Sequence, residues 1–179
     1  MAGKSDMKFN ASMVQTRCPS PLGDLTLAAS PSGLVGAWFD NQRHLPATLA
    51  AQLAGQNALW PEQASNPILQ EAAKQLTAYF AGQISSFDLP LDLSNGSTFQ
   101  QAVWQALLDI PRGSTTSYGT LSHRIGRPSA VRAVGGAIGR NPLSIIVPCH
   151  RVIGSSGSLT GYAGGLDRKT ALLQLEGAR

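Results

Sequence analysis

Cys149 and His150 are the two residues of this chain most suited to covalent chemistry. They stand side by side in Pro148-Cys149-His150-Arg151-Val152. A thiolate is an effective nucleophile, and a base within reach can generate it. Neighbours in sequence cannot easily share a well-aligned hydrogen bond, so a water bridging Cys149 to His150 is expected rather than a protease-like dyad. A histidine base needs an acceptor to hold its ring. Asp109, Asp167 and Glu176 are the only carboxylates of the second half. Glu176 falls in the last turn of a helical segment, where the macrodipole disfavours a negative charge by a few tenths to about 1 kcal/mol. That unfavourable position points to pairing with His150. Arg151 and the carboxylate-poor surroundings are expected to favour the thiolate.

The charge distribution suggests what this nucleophile meets. The chain has 179 residues, 13% of them charged, and a net charge of +4. Residues 1–97 sum to −2 and residues 98–179 to +6. Between Ile110 and Leu166 there is no Asp or Glu, but there are six arginines: Arg112, Arg124, Arg127, Arg132, Arg140 and Arg151. A basic region free of carboxylates suits a polyanion. The use of Arg throughout favours planar phosphate or base contacts over mere solubility. The 42% apolar content excludes a disordered chain. Apolar runs such as Leu143–Val147 are too short to span a bilayer. No basic segment followed by an apolar one opens the chain, so a cytoplasmic protein without membrane association is expected. Three histidines and two cysteines lack zinc-ligand spacing, which leaves no metal site. Gly135–Gly139 lies within a helical pattern and is no dinucleotide fingerprint. No cofactor is expected.

These residues must be positioned by an α+β protein. A small N-terminal α/β unit, residues 1–82, is expected to hold three antiparallel strands (13–18, 25–30 and 34–39) and a helix opened by Asn66-Pro67. Residues 45–64 read as loop or weak helix, and 83–97 as a linker. A mainly helical C-terminal domain, 98–179, begins at a capping-box spacing, Thr98 and Gln101. Residues 117–125 and a helix capped by Ser129 and running to about Ile138 form a helix-turn-helix around Gly126-Arg127-Pro128. On its second helix Val131, Val134 and Ile138 are expected inward. Arg132, Gly136 and Arg140 form another stripe. Two glycines inside a helix cost about 1 kcal/mol each relative to Ala, so something must compensate: helix packing within the domain, or another backbone against the small surface of Ala133, Gly135, Gly136 and Gly139. Ile145–Val147 reads as a buried strand leading to the cysteine. Asp167 is expected to cap the last helix, which ends near Glu176.

Pro148–Val152 resembles the signature of the O6-alkylguanine-DNA alkyltransferases. So do Arg132-Ala133-Val134-Gly135-Gly136-Ala137, Asn141-Pro142, Gly161-Tyr162-Ala163-Gly164-Gly165-Leu166 and Ser117-Tyr118-Gly119. The match is close over 98–177; the N-terminal unit matches in layout and would be ribonuclease-H-like. The resemblance implies direct-reversal DNA repair. Cys149 would accept the alkyl group of O6-alkylguanine, and less surely of O4-alkylthymine, once per molecule, from a nucleotide flipped out of duplex DNA. His150, through a water and held by Glu176, would take the thiol proton. Tyr118 would place or protonate the leaving guanine, Asn141 would order the turn, and Lys169 would assist near the base. Arg132 would fill the gap left by the flipped nucleotide. Ala133, Gly136, Thr116, Ser117, Tyr118, Arg140 and Arg151 would lie at a minor-groove DNA contact. Tyr162, Ala163, Gly164 and Val152 would line the base pocket. A monomer is implied, with cooperative binding along DNA left open.

The N-terminal zinc ligands of animal relatives are lacking. Ala163 stands where some relatives carry Ser, which leaves tolerance for bulky alkyl groups open. A non-catalytic alkylated-DNA-binding helix-turn-helix protein is the alternative, and the presence of Cys149 argues against it. A transcription factor would need a further domain. A Cys-His hydrolase would need an oxyanion hole and would leave the arginine-rich helix idle.

Overall fold

The computed structural model describes Phe9, residues 12–58 and residues 60–179. Its N-terminal part is an antiparallel sheet of β1 (Val14–Cys18), β2 (Leu25–Ser30) and β3 (Gly33–Phe39), in that order. Cys18 pairs with Leu25, Val14 with Ala29, and Leu25 with Phe39, with a bulge at Ala28/Ala29. The strands turn at Ser20–Gly23, where Gly23 takes a φ of 114° that other residues rarely adopt.

Both faces of the sheet are covered. On one, Trp38 stacks on Trp60 at 5.9 Å beneath α1 (Ala47–Leu53), the weak helix of the 45–64 segment. On the other lies α2 (Pro67–Phe80), whose Leu69, Ala72, Leu76 and Tyr79 recur at helical spacing and are buried. The Asn66 side chain accepts from the amides of Ile68 and Leu69, and Pro67 needs no such acceptor.

Residues 83–97 are not a free tether. The Leu34 amide donates to Pro90 O at 2.8 Å, and the Asp92 amide donates to Leu34 O at 2.9 Å, along the outer edge of β3. Asp92 also accepts from Ser30 Oγ at 2.6 Å. The same edge receives the C-terminal half: the Ala37 amide donates to Pro142 O, and the Ser144 amide donates to Ala37 O. One apolar core therefore runs through both halves, from Leu27 and Phe39 to Val147, Cys149 and Leu172.

The C-terminal half comprises α3 (Thr98–Leu107), β4 (Thr116–Ser117), α4 (Tyr118–Arg124), α5 (Val131–Gly139), β5 (Val152–Ile153) and α6 (Leu166–Leu175). β4 and β5 pair in parallel. Several helix starts differ from expectation. The capping box of α3 is Ser97 with Gln100, one residue earlier, because Ser97 is the extended residue and Thr98 is already helical. α5 starts after Ala130 with no side-chain cap, so Ser129 does not cap it. α6 follows Gly165, and Asp167 sits in its first turn, where a carboxylate favours the dipole without capping. Val131 is 39% exposed; the buried stripe of α5 is Val134, Ala137 and Ile138. Trp104 Nε1 donates to Ala137 O at 2.8 Å and fastens α3 to α5.

Ile145–Val147 is buried but forms no strand. Its amides bond within the turn, Val147 to Leu143 O and Ile146 to Ser144 O, and Ile145 takes a φ of 73°. Asn141 closes this turn: Oδ1 accepts from the Leu143 amide at 2.9 Å and Nδ2 donates to Val147 O at 2.8 Å. No helix among the described residues is long and apolar enough to cross a membrane.

Candidate active site

The turn closed by Asn141 ends at Pro148 and opens into one 3₁₀ turn, Cys149–Arg151. Cys149 is 5% exposed and His150 fully buried. His150 Nε2 lies 2.7 Å from Glu176 Oε1, the pair expected from the sequence. A carboxylate accepts, so Nε2 carries the proton and Nδ1 keeps its lone pair. Nδ1 has no hydrogen-bond partner in the protein, and Cys149 makes no direct hydrogen bond to it.

Glu176 ends α6, where the helix offers it nothing. It is held by other groups. Arg151 forks onto it, with Nε 2.9 Å from Oε2 and a terminal nitrogen 2.8 Å from Oε1. Tyr79, from α2, donates its hydroxyl to Oε1 at 2.7 Å. Burial raises the Glu176 carboxyl, but the hydrogen bonds from His150 and Arg151 outweigh it and hold the group well below the usual carboxylate range. Burial pushes the His150 imidazole down despite the pull of Glu176, so the resting ring is neutral.

Burial also pushes the Cys149 thiol up, against opposing pulls from the Asn141 amide and the Lys169 cation. The resting group is a thiol that needs a base, not a standing thiolate. Arg151 does not supply the expected stabilisation, because Glu176 occupies it. It is also no surface residue: it is 6% exposed and donates its remaining nitrogen to Ile110 O. That removes Arg151 from the anticipated DNA contact.

Lys169 is fully buried in α6. Its Nζ donates to Val152 O at 2.6 Å, Thr160 O at 2.7 Å and Gly161 O at 3.3 Å. Burial lowers it to about 8, with Cys149 opposing. It clamps the 160–161 loop to β5 while placing positive charge near the thiol.

Cys149 opens into a cavity of about 120 Å³ lined by Tyr118, Gly135, Ile138, Gly139, Gly161, Tyr162, Ala163, Arg43 and His44. Tyr162 and Ala163, two of the residues expected at a base pocket, line this cavity. Gly164 and Val152 stand behind it. A Cβ on Gly164 would meet the Tyr162 ring at 2.8 Å, and the Val152 side chain is wholly buried. The Tyr118 hydroxyl lies 3.3 Å from Thr160 Oγ1, which donates to it.

Comparison with known proteins identifies the arrangement. Residues 98–178 match the family model described as 6-O-methylguanine DNA methyltransferase, DNA binding domain. Residues 13–93 match that family's ribonuclease-like domain. The chain belongs to the 6-O-methylguanine DNA methyltransferase family. It is 50% identical over 161 residues to the methylated-DNA–protein-cysteine methyltransferase of Mycobacterium tuberculosis, covering 89% of this chain and 90% of that protein. The enzyme of that name from Methanosarcina barkeri is 47% identical over 157 residues, 88% of this chain and 92% of that one. A crystal structure of the M. tuberculosis protein in complex with DNA superposes with a TM-score of 0.77 at 46% identity, covering 93% of this chain and 92% of that chain.

In this methyltransferase fold the outer stripe of α5 faces solvent. Arg132, Ala133 and Gly136 are exposed, and a Cβ on Gly136 would meet nothing within 4 Å. Arg140 follows, half-buried. Gly135 faces inward instead, and a Cβ there would reach the Tyr118 ring at 3.8 Å. Thr116 and Ser117 are half-buried in β4, and the Ser117 hydroxyl caps α4 by accepting from the Thr120 amide.

Three contributors went unseen in sequence: Tyr79 behind Glu176, and Arg43 and His44 at the cavity mouth. All come from the N-terminal half. The helical spacing of Tyr79 with Leu69, Ala72 and Leu76 is that of an ordinary core residue.

Proposed function

We propose that the protein repairs duplex DNA by moving the alkyl group of O6-alkylguanine onto Cys149. The carrying observation is a buried thiol facing a small cavity, backed by a neutral histidine whose free nitrogen is fixed by Glu176. A carbon on O6 is hidden in a stacked base, so the nucleotide must be extruded at a cost of a few kcal/mol. Arg132, exposed on α5, is suited to fill the space it leaves. The small side chains Ala133 and Gly136 suit close approach to a minor groove.

His150 Nδ1 takes the Cys149 proton through one bridging water. The Sγ then displaces guanine in line: an S–C bond forms and the C–O6 bond breaks. The electron pair stays with guanine, which takes one proton from the Tyr118 hydroxyl, and the His150 imidazolium returns its proton to the phenolate through solvent. The net change moves the thiol proton to guanine. A thioether has no easy hydrolysis, so each molecule acts once. O4-alkylthymine offers the same kind of carbon and is a secondary substrate. The protein binds as a monomer.

With duplex DNA carrying radiolabelled O6-methylguanine, label transfers to wild type and stops at one equivalent. Cys149→Ala takes none. Label on that variant, or turnover beyond one equivalent, overturns the reading.

A further inference from the structure

The mouth of the Cys149 cavity carries charge that the C-terminal half alone does not supply. Arg43 and His44 follow β3 and line the cavity with Cys149. Their loop is fastened on both sides. The buried Gln42 accepts from the Phe39 amide at 2.8 Å and from Ser144 Oγ at 3.1 Å. The Arg43 amide donates to Ala163 O at 2.8 Å, on the cavity wall. His44 takes a φ of 59°, a left-handed conformation rare for a side-chain-bearing residue. A residue held so marks a turn whose direction the surroundings impose.

The turn leaves both side chains exposed, and Gly139, the neighbour of Arg140 at the end of α5, lines the same cavity. Burial first, then Arg140 and Arg43, push His44 below its ordinary value, so a neutral imidazole sits beside two guanidinium groups. None has an acidic partner among the described residues, and Asp40, on the same loop, is taken by Arg17. Two guanidinium groups without a counter-charge repel unless an anion joins them, and the His44 ring adds a hydrogen-bond donor. Guanidinium groups match phosphate geometry, and a groove that leads to a nucleophile also concentrates anions.

We propose that Arg43, His44 and Arg140 form a phosphate subsite that grips a phosphodiester flanking the nucleotide whose base enters the cavity. The subsite rests on the alkyl-transfer reading and adds the N-terminal half to DNA recognition. It would act on nucleic acid and offer little to a free base, which has no phosphate.

The test is single-turnover transfer from duplex O6-methylguanine and from free O6-benzylguanine. It compares wild type, the double variant Arg43→Gln/His44→Gln, and Lys74→Gln as a charge control on exposed α2. The double variant is expected to lose about tenfold on duplex, with the slope of log rate against log salt shallower by roughly 1. On the free base it loses much less. Lys74→Gln matches wild type on both. Methylphosphonate replacement of the 5′ or the 3′ flanking phosphate, one at a time, should slow wild type at one position by a similar factor. At that position it should slow the double variant no further.

Equal losses on both substrates, an unchanged duplex rate, or methylphosphonate costs that multiply with the double variant at both positions would overturn the subsite. Failure of wild type on free base and duplex alike would strike the alkyl-transfer reading itself, and the subsite with it.

Discussion

Positive charge lies on both sides of Cys149, and the two sides use it differently. Behind the thiol, Arg151 is spent on Glu176 and Ile110 O, and Lys169 on three carbonyls. Arg112 likewise donates to Ile84 O and Leu175 O and lies over the Tyr79 ring. In front, Arg132, Arg140 and Arg43 have no acidic partner among the described residues. A cation saturated by its own protein holds structure. One left without a partner at a cavity mouth is available to a ligand. Residue type does not distinguish them; only the tertiary partners do.

The sharpest way to break the contrast is to unpair the back. Glu176→Gln leaves Arg151 as an uncompensated buried charge, and removing one partner of such a pair costs about 3–5 kcal/mol. Arg132→Gln at the front, by contrast, should move unfolding stability by no more than about 0.5 kcal/mol. Urea denaturation of the two variants checks both figures. Near-equal costs would mean the back is no more structural than the front. Adding Arg151→Met to Glu176→Gln should recover part of the loss, since it removes the orphaned charge.

The same network sets an acid limit. The carboxyl of Glu176 is depressed in the folded protein. Its contribution is therefore complete above the unfolded value of about 4.3 and drains away as pH falls below it. The His150 imidazole is also depressed, from 6.5. The unfolded chain therefore takes up that proton first, and stability begins to decline below about pH 6.5. Melting temperatures from pH 7 to 3 should fall gently at first and steeply at the end. Glu176 should account for about 2 kcal/mol of the steep part. Glu176→Gln should therefore fall less steeply, on the depressed Asp40 and Asp92 alone. A profile flat to pH 3 would contradict this.

Much of the fold and the centre of the site were legible in sequence. The three strands, Asn66-Pro67 opening α2 and the helix-turn-helix carried local signals, and so did Cys149, His150 and the oddly placed Glu176. What failed did so for physical reasons. Ile145–Val147 has the composition of a buried strand, but the Asn141 side chain diverts its backbone into a turn. Arg151 sat in a run of arginines read as surface, and nothing local shows that Glu176, 25 residues on, would claim it. Arg43, His44 and Tyr79 reach the site from the other half of the chain. Contacts across about 100 residues leave no periodicity to read.

Tyr79 offers the finest test of the contrast, because it is the N-terminal half's own hold on the back. Its hydroxyl spans 97 residues to reach Glu176 Oε1, which also receives His150 and Arg151. Tyr79→Phe keeps the ring, and with it the packing on Phe87 at 5.4 Å and the contact under Arg112 at 5.0 Å. Only one hydrogen bond is deleted, and Oε1 is not left bare, so the cost should be about 1 kcal/mol in urea denaturation. A loss near that of Glu176→Gln would mean that Tyr79, rather than Arg151, anchors the carboxylate. With one donor fewer, Oε1 draws more strongly on the His150 proton. The His150 step in the acid profile should therefore keep its onset and end at a higher or unchanged pH, so it shrinks and never grows.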